Sequence, residues 1–467
     1  MKREHIWIHH EQDANSFWKL AEGGYANRMS VRPGEQISFH ISNSRSYYDI
    51  LVFREGARRE LVKTIPGLRG QLQPVPETGY RDGFGWHAVT SFKVPDDWKS
   101  GVYIATFPTV QGIRELLFVV RPKTPRAPVL LTIETNTYAA YNNVGGKCFF
   151  PFLSTDGRHS ELVSFERPLQ PDIMGNFYIW DQFFTSWLDA AMYEVDYCVN
   201  ADHDAEPNIL DNYRASLRIG HGEYTSRNEC EQLQRFVANG GNLILFAGNS
   251  FWHEAKIRNN GRQLFCAKTR YNDLPLGTGG TDDYGKPATS FLNSIDNLRQ
   301  RTIGVYYTSG VNAKTRVPGV YDAPTTGEFG FFRVTAPQHW VFEGTGMKAG
   351  DEFGRKDSIV GVEADGADIE FVHGKPRFTG SDGVSPHYKI LAIADAAGGE
   401  LNKELGISTS DGKFYATVAI NETEFAGTVF SAATIEWAHG LYRDDSIVPT
   451  ITRNVLNRLV GAIPPVP

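Results

Sequence analysis

The sequence has few cysteines and lacks the common zinc and nucleotide motifs. Its 467 residues include four cysteines, none of which forms a C-x-x-C pair. That spacing argues against a structural zinc cluster and against a disulfide framework. No H-E-x-x-H, G-x-G-x-x-G or P-loop sequence occurs, so a zinc protease, a dinucleotide enzyme and a nucleoside triphosphatase have no support.

Long apolar runs and an excess of positive charge are also missing. No window approaches a membrane span, and the amino terminus has no apolar run typical of a signal peptide. The net charge of −7 gives no electrostatic reason to expect nucleic acid or an anionic lipid surface as a partner. We therefore expect a soluble, cytoplasmic protein that binds neither nucleic acid nor a membrane.

The first 122 residues carry short alternating apolar segments separated by turn signals, without a helical period. Strands are predicted at 36–42, 48–53, 86–94, 101–107 and 115–120. Such a series indicates a β-sandwich domain, here expected to be immunoglobulin-like. Three prolines between residues 121 and 128 predict a stiff linker after it.

Residues 123–467 alternate strands and helices, which predicts an α/β domain around a parallel sheet. Strands are predicted at 129–133, 193–199, 214–219 and 242–248, and helices at 177–193, 226–238 and 449–460. From about 255 to 410 the pattern loosens into either long functional loops or an inserted subdomain. Within that stretch, residues 358–365 are predicted as a strand that ends in carboxylates.

Polar side chains lie at the carboxyl ends of these predicted strands, where ligands bind in open α/β sheets. His221 and Glu223 occupy a glycine-flanked turn between a strand and a helix, and Tyr141 follows the strand at 129–133. Asn249 follows the strand at 242–248, and Glu363 lies near the end of the later strand. The turn has no Ser or Cys at its centre, which argues against covalent catalysis there.

The strand ends offer oxygen donors, namely Tyr141, Glu223 and Glu363 with Tyr224 as a further candidate, and such donors favour a hard metal ion. Tyrosinates in particular favour ferric iron, because a trivalent Lewis acid can deprotonate a phenol whose ordinary pKa is about 10. Plainer alternatives remain open at this point. Glu223 then only caps or orients its turn, His221 hydrogen-bonds its own turn, and Glu363 is a surface carboxylate.

Six motifs occur in order across roughly residues 90–460. They are Asn136–Gly146, Val163–Pro168, Gly220–Tyr224, Gly240–Asn242 with Gly248–Asn249, Val360–Glu363, and Gly427–Phe430 through Thr452–Asn454. With these motifs the chain resembles the family of the N,N-dimethylformamidase large subunit. The resemblance implies an amidohydrolase that acts on a small amide with one non-heme Fe³⁺ ion. It also implies a homo-oligomer, a companion small subunit as in the family's prototype, and an α/β domain like that of class I glutamine amidotransferases.

The resemblance further implies three iron ligands, which carry over to Tyr103, Tyr141 and Glu223. Tyr103 would place the metal between the two domains, whereas its local strand pattern alone predicts a core tyrosine. Two phenolates and one carboxylate would neutralise a ferric ion and leave open positions for water and substrate. Glu363 is then expected as general base or acid, with His221 and Asn249 orienting the substrate or stabilising the oxyanion.

Two positions depart from the family's Gly-His-Asp-Glu-Tyr-Trp motif, because Gly222 and Thr225 replace the acid and the indole. Another amide or C–N bond is therefore a better expectation than dimethylformamide itself. Two further functions stay open: a non-hydrolytic iron enzyme, and a non-catalytic binding protein with an inert amidotransferase-like domain. An inert domain should purify without stoichiometric iron, and a redox reaction should need oxygen or a reductant.

Overall fold

The computed structural model describes residues 21–170, 177–266, 298–306, 330–360, 363–381, 383–385, 387–396, 413–423, 426–442 and 446–461. Its strands, in chain order, are β1 Gly23–Ala26, β2 Ser30–Val31, β3 Gln36–Ser42, β4 Tyr47–Arg54, β5 Glu60–Arg69, β6 Ala88–Lys93, β7 Gly101–Thr109, β8 Gly112–Val120, β9 Val129–Ile133, β10 Leu162–Ser164, β11 Asp196–Val199, β12 Ala215–His221, β13 Tyr224–Thr225, β14 Asn242–Gly248, β15 His253–Glu254, β16 Lys256–Arg258, β17 Gln263–Phe265, β18 Phe332–Val334, β19 Glu352–Phe353, β20 Ile369–Val372, β21 Lys375–Phe378, β22 Tyr388–Ala396, β23 Phe414–Asn421 and β24 Val429–Ser431.

The α-helices are α1 Gly79–Asp82, α2 Thr135–Tyr141, α3 Gln182–Ala190, α4 Asn200–Ala205, α5 Arg227–Ala238, α6 Leu298–Ile303, α7 His439–Tyr442 and α8 Ile447–Val460. The helices predicted at 226–238 and 449–460 are confirmed as α5 and α8. The one predicted at 177–193 is α3 preceded by a π-helical turn, Phe177–Asp181. In the part of the chain described, no helix is long and apolar enough to cross a membrane.

The amino-terminal part packs two sheets face to face. One sheet has the strand order β1-β3-β6 and the other the order β2-β8-β7-β4-β5. Their facing side chains share one apolar core, which includes Ile37, Phe39, Val52 and Phe118. The five strands predicted in this region are all present, so the sheet-rich character predicted for it is confirmed.

The remaining chain is built around a mixed sheet of nine strands in the order β11-β9-β12-β14-β24-β23-β22-β18-β19. The first five strands run parallel, as predicted, but the pairs from β24 to β19 are antiparallel. The prediction of a parallel sheet was therefore right for half of it. Three of the antiparallel strands, β18, β19 and β22, come from the stretch at 255–410.

The strand predicted at 358–365 is not found in its described part, residues 358–360 and 363–365; residues 361–362 lie outside the described residues. Ser358 has a left-handed backbone with φ of 50°, and Ala364 forms an isolated bridge with Thr434. A left-handed residue breaks the extended conformation that a ladder requires. The apolar side chains Ile359 and Val360 are nevertheless buried, which explains why the segment resembles a strand in the sequence.

Strand β7 joins the two parts of the molecule, because its two faces pack in different cores. Val102 and Ile104 belong to the core of the nine-stranded sheet, whereas Tyr103, Ala105 and Phe107 face the sandwich core. This follows from the alternation of side chains along a strand. The consequence for Tyr103 is considered below with the site.

Candidate active site

Neighbouring parallel strands bring the predicted polar residues to one edge of the nine-stranded sheet. His221 is the last residue of β12 and pairs in register with Gly248, so Asn249 comes directly after the neighbouring strand end. Tyr141 is the last residue of α2, the short helix that follows β9. Asn249 has a left-handed backbone with φ of 46°, a conformation that Asn tolerates better than most residues.

Five of the six predicted residues meet at this edge. The Tyr141 hydroxyl donates a hydrogen bond to Glu223 Oε2 at 2.6 Å, and His221 Nε2 lies 2.8 Å from Glu363 Oε2. Asn249 Nδ2 lies 3.1 Å from the same Glu363 oxygen and 3.2 Å from His221 Nε2. The site therefore combines a phenol–carboxylate pair with an imidazole–carboxylate–amide group.

The surroundings hold His221 in its charged form. Burial alone would lower the pKa of His221, but the carboxylates of Glu363, Glu223 and Asp365 together raise it to about 9. The pKa of Tyr141 is raised well above 10 by burial, and the negative charges of Glu223 and Glu363 add to this. Without a cation beside it, Tyr141 is thus a neutral phenol that donates to Glu223.

These oxygens fit a hard cation in two respects. The site holds more carboxylates than cationic groups, and a positive ion next to Tyr141 and Glu223 would relieve that imbalance. Asn249 Oδ1 is also buried without a hydrogen-bond partner among the described residues. Among these residues no group of three or more His, Cys, Asp or Glu side chains forms a metal cluster, so a cation here would depend on phenol oxygens as well.

The structure does not bring Tyr103 to the other five residues. Its ring stacks on Trp98 at 4.7 Å and on Phe118 at 5.5 Å, and its hydroxyl donates to the Lys99 carbonyl at 2.8 Å. Because β7 turns this side chain toward the sandwich core, the phenol faces away from the nine-stranded sheet. This placement agrees with the prediction of a core tyrosine that the strand pattern alone had given.

Two more residues lie near Glu223: Tyr224, a further candidate oxygen donor in the sequence, and His253, which was not predicted from the sequence. The Tyr224 hydroxyl also hydrogen-bonds Glu223, which contributes to raising the Tyr224 pKa after burial, the larger cause. His253 Nε2 lies 3.5 Å from Glu223 Oε1, and its ring stacks on Tyr224 at 5.0 Å. In the sequence, the proximity of His253 to this site could have been inferred from its position five residues after the end of β14.

A buried charge network, also missed, lies behind the turn at His221–Glu223. Arg218 on β12 is 1% exposed and contacts Glu134 Oε1 at 3.0 Å and Glu229 Oε1 at 2.7 Å. Gly222 approaches Glu134 so closely that a Cβ there would lie 3.2 Å from its carboxyl carbon. Thr225 donates to Glu229 at 2.6 Å. Both departures from the family motif therefore contact this network.

A separate cleft of about 900 Å³ lies at the opposite, amino-terminal edge of the sheet strands. Arg214, Arg235 and Arg458 line it together with the ends of α5 and α8, and none of the five converging residues does. This cleft therefore does not contain the site residues predicted from the strand ends, which lie at the carboxyl-terminal edge of the sheet.

Comparisons with known proteins bear on both the fold and the site. A family model described as "N,N-dimethylformamidase beta subunit-like, C-terminal" matches residues 49–449. No curated protein matches the chain. Among solved structures, the M1 domain from titin is similar over 23% of this chain and 98% of its own, at 14% identity and a TM-score of 0.14. A sialyltransferase from Photobacterium damsela matches 48% of this chain and 36% of its own, at 12% identity and a TM-score of 0.11. Neither structural likeness supports an argument about this protein.

Proposed function

We propose that this chain, which belongs to the N,N-dimethylformamidase beta subunit-like family, hydrolyses the C–N bond of a small amide. One observation carries the proposal. Tyr141, His221, Glu223, Asn249 and Glu363 come from separate segments, and their polar atoms meet at one sheet edge. Among these groups are a charged donor, a neutral donor and a carboxylate, which amide hydrolysis needs.

The reaction adds water to the amide carbonyl and then breaks the C–N bond. Glu363 is positioned to take a proton from the attacking water and to return it to the nitrogen of the leaving amine, so a carboxylic acid and an amine are formed. The His221 imidazolium and the Asn249 amide are donors next to Glu363, and they stabilise the oxyanion of the tetrahedral intermediate. The contact with His221 keeps Glu363 in place, as an ion pair before proton transfer and as a hydrogen bond while Glu363 carries the proton.

Ferric iron is the cofactor we propose, held by the oxygens of Tyr141 and Glu223. When bound there, it would act as a Lewis acid on the amide carbonyl. Tyr103 is left out of this ligand set because its hydroxyl lies in the sandwich core. The finer parts of the expectation stay proposals too: an immunoglobulin-like sandwich, an amidotransferase-like α/β domain, a homo-oligomer, a small companion subunit and a cytoplasmic location.

The first experiment is iron analysis of the purified protein with its visible spectrum, followed by an anaerobic screen of small amides. We expect about one iron per chain, a tyrosinate-to-iron charge-transfer band, and amine release without oxygen. Glu363→Gln should lower kcat by about 10² to 10⁴ and keep the band. Glu352→Gln, which removes a surface partner of Arg355, is the matched control and should behave as the wild type.

The outcomes separate the candidate functions. Amine release that requires oxygen or a reductant would favour a non-hydrolytic iron enzyme. A colourless protein that takes up no iron and hydrolyses no amide would favour the binding-protein alternative. Hydrolysis without iron would keep the five-residue site and remove the cofactor from the proposal.

A further inference from the structure

A buried aspartate outside the five-residue site lies close enough to His221 to interact with its charge. Asp181 ends the π-helical turn Phe177–Asp181 and directly precedes α3. Single π-helical turns are frequent at functional sites. Asp181 is 4% exposed, and its carboxylate accepts a hydrogen bond from the hydroxyl of Tyr138 on α2, one turn before Tyr141.

Asp181 does not lie at the start of a helix, where an aspartate usually accepts a hydrogen bond from a backbone N–H. Its backbone is helical, with φ of −69° and ψ of −40°, and the helix continues through it from the π-helical turn into α3. Its side chain makes no such bond. The carboxylate is instead turned toward Tyr138 and the end of β12, so its placement is not explained by helix capping.

Two contacts link Asp181 to His221. Gly220 has φ of +64°, and a Cβ at this position would lie 2.6 Å from Asp181 Oδ1 and 3.2 Å from Trp180 Cβ. The Trp180 ring meets the His221 ring edge-to-face at 5.9 Å. The residue before His221 and the ring beside it are therefore both packed against the segment that Asp181 ends.

We propose that Asp181 is a positioning residue of the site, which fixes His221 through Gly220 and Trp180 while Tyr138 fixes Asp181. This deepens the amide-hydrolase proposal and rests on it for its kinetic consequence. The titratable groups that face Asp181 are Tyr138, Glu134 and His221. Burial, the largest cause, raises the pKa of Asp181 to about 7, so its charge changes within the ordinary working range of pH.

The kinetic test compares Asp181→Ala, Asp181→Asn and Tyr138→Phe with the wild type. Alanine should lower kcat about 100-fold with little change in KM, because misplacing His221 by about 1 Å affects the reacting geometry. Asparagine keeps the shape and the acceptor for Tyr138 but stays neutral, so it should recover the kcat that the wild type has below pH 7, where Asp181 is protonated. Because it cannot ionise, the step near pH 7 in the wild-type profile of kcat/KM should vanish. Asp189→Asn, an exposed aspartate on α3, is the control and should change neither.

A second readout does not depend on activity. Hydrogen–deuterium exchange of the peptide covering residues 215–225 should be faster in Asp181→Ala than in the wild type and in Asp189→Asn. If the wild-type protein hydrolyses no amide, the function fails and exchange still tests the positioning role. If Asp181→Ala does not fold, Tyr138→Phe gives the same comparison, because it removes the hydrogen bond that holds Asp181. Unchanged kcat and unchanged exchange in Asp181→Ala and Tyr138→Phe, or a pH step that persists in Asp181→Asn, would overturn the inference.

Discussion

At the scale of single residues, the two tyrosines first proposed as iron ligands give a direct test of the site. Tyr103→Phe should leave iron content and the charge-transfer band unchanged and cost about 1 kcal/mol of stability for the lost hydrogen bond to Lys99. Tyr141→Phe should weaken or abolish the band, because it removes the phenol that contacts Glu223. Iron analysis and absorption spectra check both variants, and a band lost in Tyr103→Phe would contradict the placement of that residue.

A second residue-scale prediction concerns His203, which is buried as a neutral imidazole. Burial, the largest cause, lowers the pKa of His203 to about 4, and Arg218 adds to this. The unfolded chain takes up a proton near pH 6.5 and the folded chain only near pH 4, so stability falls as pH falls through this window. The loss from this group should reach on the order of 3 kcal/mol.

Urea unfolding at several pH values measures that slope. His203→Gln has nothing to titrate, so its stability should depend less on pH between 6.5 and 4 than that of the wild type. His339 is more exposed than His203, with 11% of its side chain accessible, and pairs with Glu422, so His339→Gln is the comparison variant. An equal pH slope in His203→Gln and the wild type would show that another group is responsible.

Five of the six proposed site residues could be grouped from the sequence, because four of them lie at or after the ends of parallel strands whose neighbours in the sheet could be inferred. Glu363 was grouped with them through a predicted strand at 358–365 that the described residues do not form. Tyr103 was different, because the family resemblance implied an iron ligand whereas the alternation along β7 predicted a side chain in the sandwich core. The structure places the side chain in the sandwich core. Asp181 and Arg218 gave no signal, because long-range burial of a charge depends on partners that lie up to 84 residues away in the chain.

At the scale of elements, the end of β12 depends on a left-handed residue that has no room for a side chain. Gly220→Ala meets two penalties, the positive φ and a Cβ 2.6 Å from Asp181 Oδ1. Gly240 also has a positive φ, 92°, but open space around it, so Gly240→Ala isolates the first penalty, about 1–2 kcal/mol. Denaturant unfolding should show a clearly larger loss for Gly220→Ala. Equal losses of stability would mean that Asp181 can move away from the added Cβ at little energetic cost.

The strand β12 also carries the cation that balances two buried carboxylates. Arg218→Met would leave Glu134 and Glu229 buried without a positive partner, which should cost about 3–5 kcal/mol. Arg355→Met, which breaks a half-exposed pair with Glu352, should cost less than about 1 kcal/mol. Thermal unfolding of both variants makes the comparison. A small loss in Arg218→Met would indicate that one of the two glutamates is already neutral.

Element predictions succeeded where periodicity was local and failed where the sheet changed direction. Strands β9 and β14 are largely apolar runs followed by helices or turns, which is typical of buried parallel strands, and β12 between them is buried along its whole length despite its polar residues. The antiparallel half did not follow from this pattern, because β22 and β23 are antiparallel neighbours, and such a pair does not require the crossover helix that parallel strands need. The segment at 358–365 is buried like a strand but lacks the extended backbone, and burial alone does not distinguish the two.

At the scale of the whole molecule, the two parts share apolar and polar contacts. Val102, Ile104, Leu117 and Val119 from the sandwich lie in the core of the nine-stranded sheet. Polar contacts join the same parts, including Arg121 to Asp202 at 2.8 Å and Arg32 to Glu206 at 2.6 Å. A sandwich separated from this core would expose one face of β7 and β8 to water, which indicates that the two parts depend on each other.

We therefore expect one cooperative unfolding transition in calorimetry rather than two. Ile104→Ala removes a fully buried side chain on the face of β7 toward the nine-stranded sheet, so it should lower stability by about 2–5 kcal/mol. The whole transition should move, since each part loses packing with the other. Val110→Ala, at an exposed position after the same strand, is the control and should leave the transition in place. Two separate transitions, of which Ile104→Ala shifts only the sandwich one, would show instead that the nine-stranded sheet keeps its site without the sandwich.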